Sequence, residues 1–307
     1  MFDLLIHADW SVSAGKRWAA SAAPHGGRWV VEAPNPVGPS GEFLDGAFAA
    51  GAERRVLLGF DFPIGVPLAY GAQTGFVSFR EMLPALEAGI WSRFSDVARL
   101  PAEIALTRPF YPMASTKGVT RAELAAGLGV ADFRDLLRIC ERRTQHRNDA
   151  CSVFWTLGGN QVGKGALTGW REVVRPALLR GAVLWPFDGA LEELTRTPGV
   201  VLAETYPAEA YRMVGAGFLP VESKRRQADR RSKAASILAW ADRHGVVFSD
   251  TTTADLEDGF GPRPNGEDRF DALLGLLKMI EVADGRQKER TEEHDVSNVW
   301  EGWILGR

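Results

Sequence analysis

Apolar runs recur along the chain, and several of them stop on an acid. Leu4-Leu5-Ile6-His7-Ala8-Asp9 is the first, Arg55-Val56-Leu57-Leu58-Gly59-Phe60-Asp61 the second and Val200-Val201-Leu202-Ala203-Glu204 the third. Runs of this length and composition predict buried strands over 3–9, 55–61 and 199–204. Two shorter strands are expected at Lys16–Ala22 and Trp29–Glu32, turned by Pro24-His25-Gly26-Gly27, so the chain should open with an antiparallel meander. A short helix is expected over Phe43–Ala50. The strand before Phe62-Pro63-Ile64-Gly65 must end there, because proline cannot donate to a sheet ladder.

Residues 66–180 change character. Helical stretches are expected at 78–88, 121–128, 131–144 and 168–180, with irregular aromatic segments such as Arg108-Pro109-Phe110-Tyr111-Pro112 between them. This is the pattern of a large, mostly helical insertion or cap within a single domain of 307 residues. The sheet should resume at Gly181–Trp185. Helices are expected at 191–196, from Pro207, over a basic segment 223–244 and over 267–284, where Asp268 and Asp271 precede Ala272-Leu273-Leu274-Gly275-Leu276-Leu277.

Composition adds limits. With 45% hydrophobic residues and a net charge of -3, the chain has ample core and no global charge that announces a nucleic-acid partner; any basic surface must be local. Two cysteines, Cys140 and Cys151, make neither a disulfide framework nor a zinc pattern, which fits a reducing cytosol. A strand starting close to Met1, and no apolar run of bilayer length, lead to the expectation of a cytoplasmic protein with no membrane partner and no obligate protein partner. The histidines have no metal-pair spacing, and no GxSxG elbow occurs.

The candidate chemistry lies in the acids. A carboxylate at the end of a buried strand has left the core and faces a cleft. Asp9, Asp61 and Asp268 each have a local explanation as a turn or helix cap, and Glu204 as a solvated strand end. Repetition on three separate strands argues against all of these at once. Carboxylates brought together repel unless a cation joins them, and hard oxygen donors suit Mg²⁺ or Mn²⁺. Asp9, Asp61, Glu204, Asp268 and Asp271 are the expected ligands, and Asp9, Asp61, Glu204 and Asp271 the expected catalytic set. His7 shares the face of Asp9 on its strand, where a satisfied core histidine is the commoner outcome.

Two further features carry positive charge. Gly158-Gly159-Asn160-Gln161-Val162-Gly163-Lys164-Gly165 nearly matches a phosphate-binding loop, and the apolar run Ser152–Leu157 precedes it as a strand would. Gly165 replaces the Ser or Thr that such a loop needs, so a milder phosphate contact through Lys164 stands beside a plain turn. Basic groups at Arg138, Arg142, Arg143, His146 and Arg147, and at Ser223–Lys233 including Lys224, are either solvated faces or a rim that offsets the acids for a phosphodiester.

The stretches His7-Ala8-Asp9-Trp10-Ser11, Gly59–Gly65, Ala203-Glu204-Thr205-Tyr206-Pro207-Ala208 and Asp268-Arg269-Phe270-Asp271-Ala272-Leu273, in this order, resemble the ribonuclease H-like fold. More narrowly, they resemble the predicted-nuclease family called domain of unknown function 429. The resemblance spans nearly the whole chain and implies an α/β fold with a ribonuclease H-like mixed sheet flanked by helices. It also implies a metal-dependent nuclease or phosphodiesterase using Mg²⁺ or Mn²⁺. Lys164, Arg142, Arg143 and Lys224 would then hold the phosphates of a nucleic acid or smaller phosphoester. Nucleotide binding or phosphotransfer on the same type of sheet, and a non-catalytic binding module, remain as alternatives.

Overall fold

The computed structural model describes residues 2–113, 116–143, 148–157, 162–262, 265–290 and 297–307. Seven strands form one mixed sheet: β1 (Leu4–Asp9), β2 (Trp18–His25), β3 (Arg28–Pro36), β4 (Arg55–Phe60), β5 (Val183–Leu184), β6 (Gly199–Glu204) and β7 (Val246–Phe248). Their order across the sheet is β5-β6-β4-β1-β2-β3-β7. β2 runs antiparallel to both of its neighbours, and every other pairing is parallel. The expected meander is therefore β1-β2-β3. Its tight turn uses Gly26 and Gly27 at φ 57° and 75°, the left-handed conformation that a two-residue hairpin loop needs.

Side-chain alternation divides the sheet between two cores. On β4 and β6, Val56, Leu58, Phe60, Val200 and Leu202 pack on one face with Leu44 and Ala47 of the helix Ser40–Gly51 and with residues of the 66–180 segment. Leu57, Val201, Ala203 and, from β1, Leu5 face the other way, onto the helix Asn265–Ala283. That helix is buried almost without a break from Phe270 to Val282 and crosses β1, β2 and β3. Its approach is close. A Cβ on Gly275 would lie 2.1 Å from the His7 ring, and one on Gly59 would lie 2.5 Å from Met279 Sδ. With the helix seated this deeply, its first two turns, carrying Asp268 and Asp271, come to the carboxyl edge of β1.

Several local expectations are corrected. In place of the helix expected over 131–144, the described residues 131–143 hold only the 3₁₀ turns Phe133–Leu136 and Ile139–Glu141, since Arg138 leaves helical geometry to enter the core. Ser152–Leu157 is no strand; Tyr111 and Trp155 make one isolated bridge there. The helix expected at 168 begins earlier, at Val162, and the basic segment 223–244 starts as turns before the helices Gln227–Arg231 and Ala234–Arg243. β7 and the helix Asp250–Asp258 were not expected; three residues at a sheet edge leave little pattern to read. Among the described residues, 66–180 adds helices and irregular segments but no strand to the sheet, and no helix is long and apolar enough to cross a membrane.

Candidate acidic site

Strand register places the first two acids side by side. Ala8 is aligned with Phe60 on the neighbouring parallel strand, so Asp9 and Asp61 are the next pair in line. They share the face of Leu5, His7, Leu57 and Gly59, which is the face covered by the helix Asn265–Ala283. Asp9 is buried and Asp61 partly so, and the two are close enough to hydrogen-bond each other. Two carboxyl groups can do that only with a proton between them. Burial raises Asp9 well above the ordinary carboxylate value of 3.8, and the charge of Asp61 adds to the rise. Burial also raises Asp61, to about 7, against the pull of the Trp10 backbone N–H that donates to its Oδ1 at 2.7 Å. The pair thus holds at neutral pH a proton that two separate carboxylates would give up.

Asp271 completes the group from the helix. One oxygen accepts from the Tyr211 hydroxyl and the other from the Lys224 ammonium. Burial alone would lower the Lys224 ammonium, and the Asp271 carboxylate beside it more than reverses this. The Tyr211 hydroxyl is pushed well up by burial, with Asp271 contributing. Asp268, one turn earlier, is raised to about 6 by burial and by the charges of Glu267 and Asp271. Its Oδ2 is shut off from solvent with no hydrogen-bond partner.

Glu204 is a correction to the expected ligand set. Phe60 is aligned with Glu204, so the register partner of Asp61 is Thr205, one residue on. Glu204 shares the face of Val200 and Leu202 and turns toward the 66–180 segment. There the Arg138 guanidinium donates to both of its oxygens at 2.6 Å, and the Ile64 backbone N–H donates to Oε2 at 2.7 Å. Arg138 Nε also donates to Glu141 at 2.9 Å. All three side chains are buried. Glu204 therefore anchors the 66–180 segment to the sheet instead of meeting the other acids.

Thr205 occupies the position expected of Glu204 and belongs to a neutral chain of contacts. His7 Nε2 lies 2.8 Å from the Thr205 hydroxyl and Nδ1 lies 2.9 Å from the Ala272 carbonyl. Burial lowers His7 to about 4, so the ring is neutral and Nδ1–H donates to Ala272. His7 is the satisfied core histidine, tying β1 to the helix that carries Asp271.

A cleft of about 830 Å³ is lined by Asp61, Asp271 and Tyr211 and also by Arg138 and Glu204. Lys164, Lys224 and Lys16 also line it, so positive charge does rim the acids. Arg142 and Arg143 do not line it; Arg142 Nε donates to the Leu137 carbonyl at 3.2 Å and Arg143 is exposed. Lys164 and Gly165 sit within the helix Val162–Gly169, whereas Gly158–Gln161, His146 and Arg147 lie outside the described residues. Without a strand at 152–157, the strand–loop–helix setting of a phosphate-binding loop is missing. The residues that sequence reasoning missed are Tyr211, Thr205 and Lys16. Thr205 alone had a signal, the alternation along β6 once its register with β4 is known.

Among the described residues, no three or more His, Cys, Asp and Glu side chains are arranged to hold a metal ion. In this arrangement a shared proton and the Lys224 ammonium balance the acids. In kind, the donors still suit a hard divalent cation: Asp9, Asp61, Asp268 and Asp271 are carboxylates that feel one another's charge, and Asp268 keeps an oxygen without a partner. Comparison with family models, with curated proteins and with solved structures finds no match to the chain.

Proposed function

We propose that this α/β protein is a metal-dependent phosphodiester hydrolase, a nuclease or phosphodiesterase of the ribonuclease H-like type. The observation that carries the reading is the adjacency of Asp9 and Asp61 at the carboxyl ends of neighbouring parallel strands, with Asp271 meeting them from the packed helix. The strand order β3-β2-β1-β4-β6, with only β2 reversed, supports the resemblance in the sequence.

Asp9, Asp61 and Asp271 would hold Mg²⁺ or Mn²⁺, with Asp268 beside them. When bound, such an ion supplies a nucleophilic water at neutral pH and neutralises charge on the leaving oxygen. The chain's own residues do the rest. Trp10 N–H fixes the orientation of Asp61, and Tyr211 O–H fixes that of Asp271. The His7–Thr205 contact keeps β1, β6 and the helix in step, so the three carboxylates hold their spacing. Lys16 and Lys164 offer ammonium groups to a phosphate entering the cleft, which the acids alone would repel.

The test is thermal unfolding with and without Mn²⁺, beside cleavage of labelled single-stranded and duplex DNA and RNA and of a small phosphodiester. Mn²⁺ should raise the melting temperature and support cleavage of at least one substrate. An unchanged melting temperature across the titration removes the metal and the hydrolase together.

A further inference from the structure

Lys224 is a cation of this site whose backbone is held from several directions. It stands in the turn that precedes the helix Gln227–Arg231. Ser223 N–H donates to Asp229 at 2.8 Å and Arg226 Nε donates to the same oxygen at 2.6 Å, closing the turn. The buried Arg230 guanidinium donates to the Lys224 backbone carbonyl and, at 2.8 Å, to the Gly259 carbonyl. The backbone of Lys224 is thus fixed at the mouth of the cleft. Its ammonium is bonded to Asp271 and acts electrostatically on Asp9, Asp61 and Asp268 as well.

Its side chain is not fixed in the same way. It keeps 38% of its surface exposed while Asp271 keeps 8%. A lysine is a point charge on a flexible stem, so the head group can leave Asp271 without the backbone moving. A divalent ion held by Asp9, Asp61 and Asp271 would meet the Lys224 ammonium already bonded to Asp271, and like charges this close repel.

We infer that Lys224 is a tethered cation that competes with the divalent metal for Asp271 and, once displaced, turns its ammonium to the substrate phosphate. The inference rests on the metal reading of the site. In the metal-free protein Lys224 offsets part of the repulsion among the neighbouring acids. With metal bound it becomes a positioning residue for the anion in the cleft. The two states exchange one cation for another at Asp271, with no covalent step.

Titration calorimetry with MnCl₂ alone, on the wild type, Lys224→Met and Lys224→Arg, tests this without any activity assay. Lys224→Met should bind Mn²⁺ about tenfold more tightly, the gain being limited by solvent screening of a partly exposed charge. Lys224→Arg keeps the competing charge and should bind as the wild type does. In thermal unfolding, Lys224→Met should melt lower than the wild type without metal and gain more on adding Mn²⁺. Equal or weaker Mn²⁺ binding by Lys224→Met, with the wild type binding normally, overturns the inference and leaves the metal site standing. No Mn²⁺ binding by wild type or either variant overturns both. Binding by Lys224→Met alone upholds the inference, with the ammonium masking the site completely.

Discussion

Arg138 grips Glu204 through both carboxylate oxygens, each at 2.6 Å, and both side chains are buried. This pair joins the segment 66–180 to the end of β6. It is also what removes Glu204 from the acidic site, although Glu204 ends its strand as Asp9 and Asp61 do.

A buried pair of this kind is costly to break from one side. Arg138→Met should destabilise the protein by about 3–5 kcal/mol, because it leaves the Glu204 and Glu141 carboxylates buried without their cation. Glu204→Gln should also destabilise, yet leave the melting-temperature response to Mn²⁺ unchanged. Urea unfolding and Mn²⁺ titration of both variants measure this. A lost Mn²⁺ response in Glu204→Gln would return Glu204 to the ligand set.

The raised value of Asp61 makes a pH prediction. Asp61 rises from 3.8 to about 7 on folding, so the native state favours its protonated form. The corresponding stability is fully present below about pH 4 and is lost as pH rises through about 7. Asp61→Asn has nothing to lose over that window. The melting temperature of the variant relative to wild type, in chelator, should therefore climb between pH 4 and pH 8. His7, lowered to about 4, has the opposite slope, but it is present in both proteins and cancels. A difference that stays flat with pH contradicts the raised value.

Asp9→Asn addresses the metal directly. The variant replaces an acid that burial and Asp61 already push toward its neutral form, so without metal it should be at least as stable as wild type. It should bind Mn²⁺ more weakly and lose Mn²⁺-dependent cleavage. Destabilisation of about 1 kcal/mol or more with an intact Mn²⁺ response would mark Asp9 as a structural acid.

The seat of the long helix is tested at Gly275. A methyl group there meets the His7 ring, which is itself held by Thr205 and Ala272. Gly275→Ala should cost about 1–3 kcal/mol by chemical denaturation, despite the better helix propensity of alanine. It should also weaken Mn²⁺ binding, since lifting the helix moves Asp271 from Asp61. Wild-type stability would show that the helix has room to shift.

The α/β class, strands β1 to β6 and the helix ahead of Asp271 were legible in the sequence, because buried strands and helices write their periodicity locally. Asp9, Asp61 and Asp271 were legible for the same reason, as acids that interrupt an apolar pattern. The sequence could not say which acids meet, since that depends on register and on side-chain parity between strands far apart in the chain. One residue of register puts Thr205 beside Asp61 and turns Glu204 to the opposite face, where Arg138 waits on a segment whose fold has little periodicity. The proton shared by Asp9 and Asp61, and the Lys224 ammonium on Asp271, likewise exist only in three dimensions. Both follow from burying like charges together, and burial is a property of packing that no single segment determines.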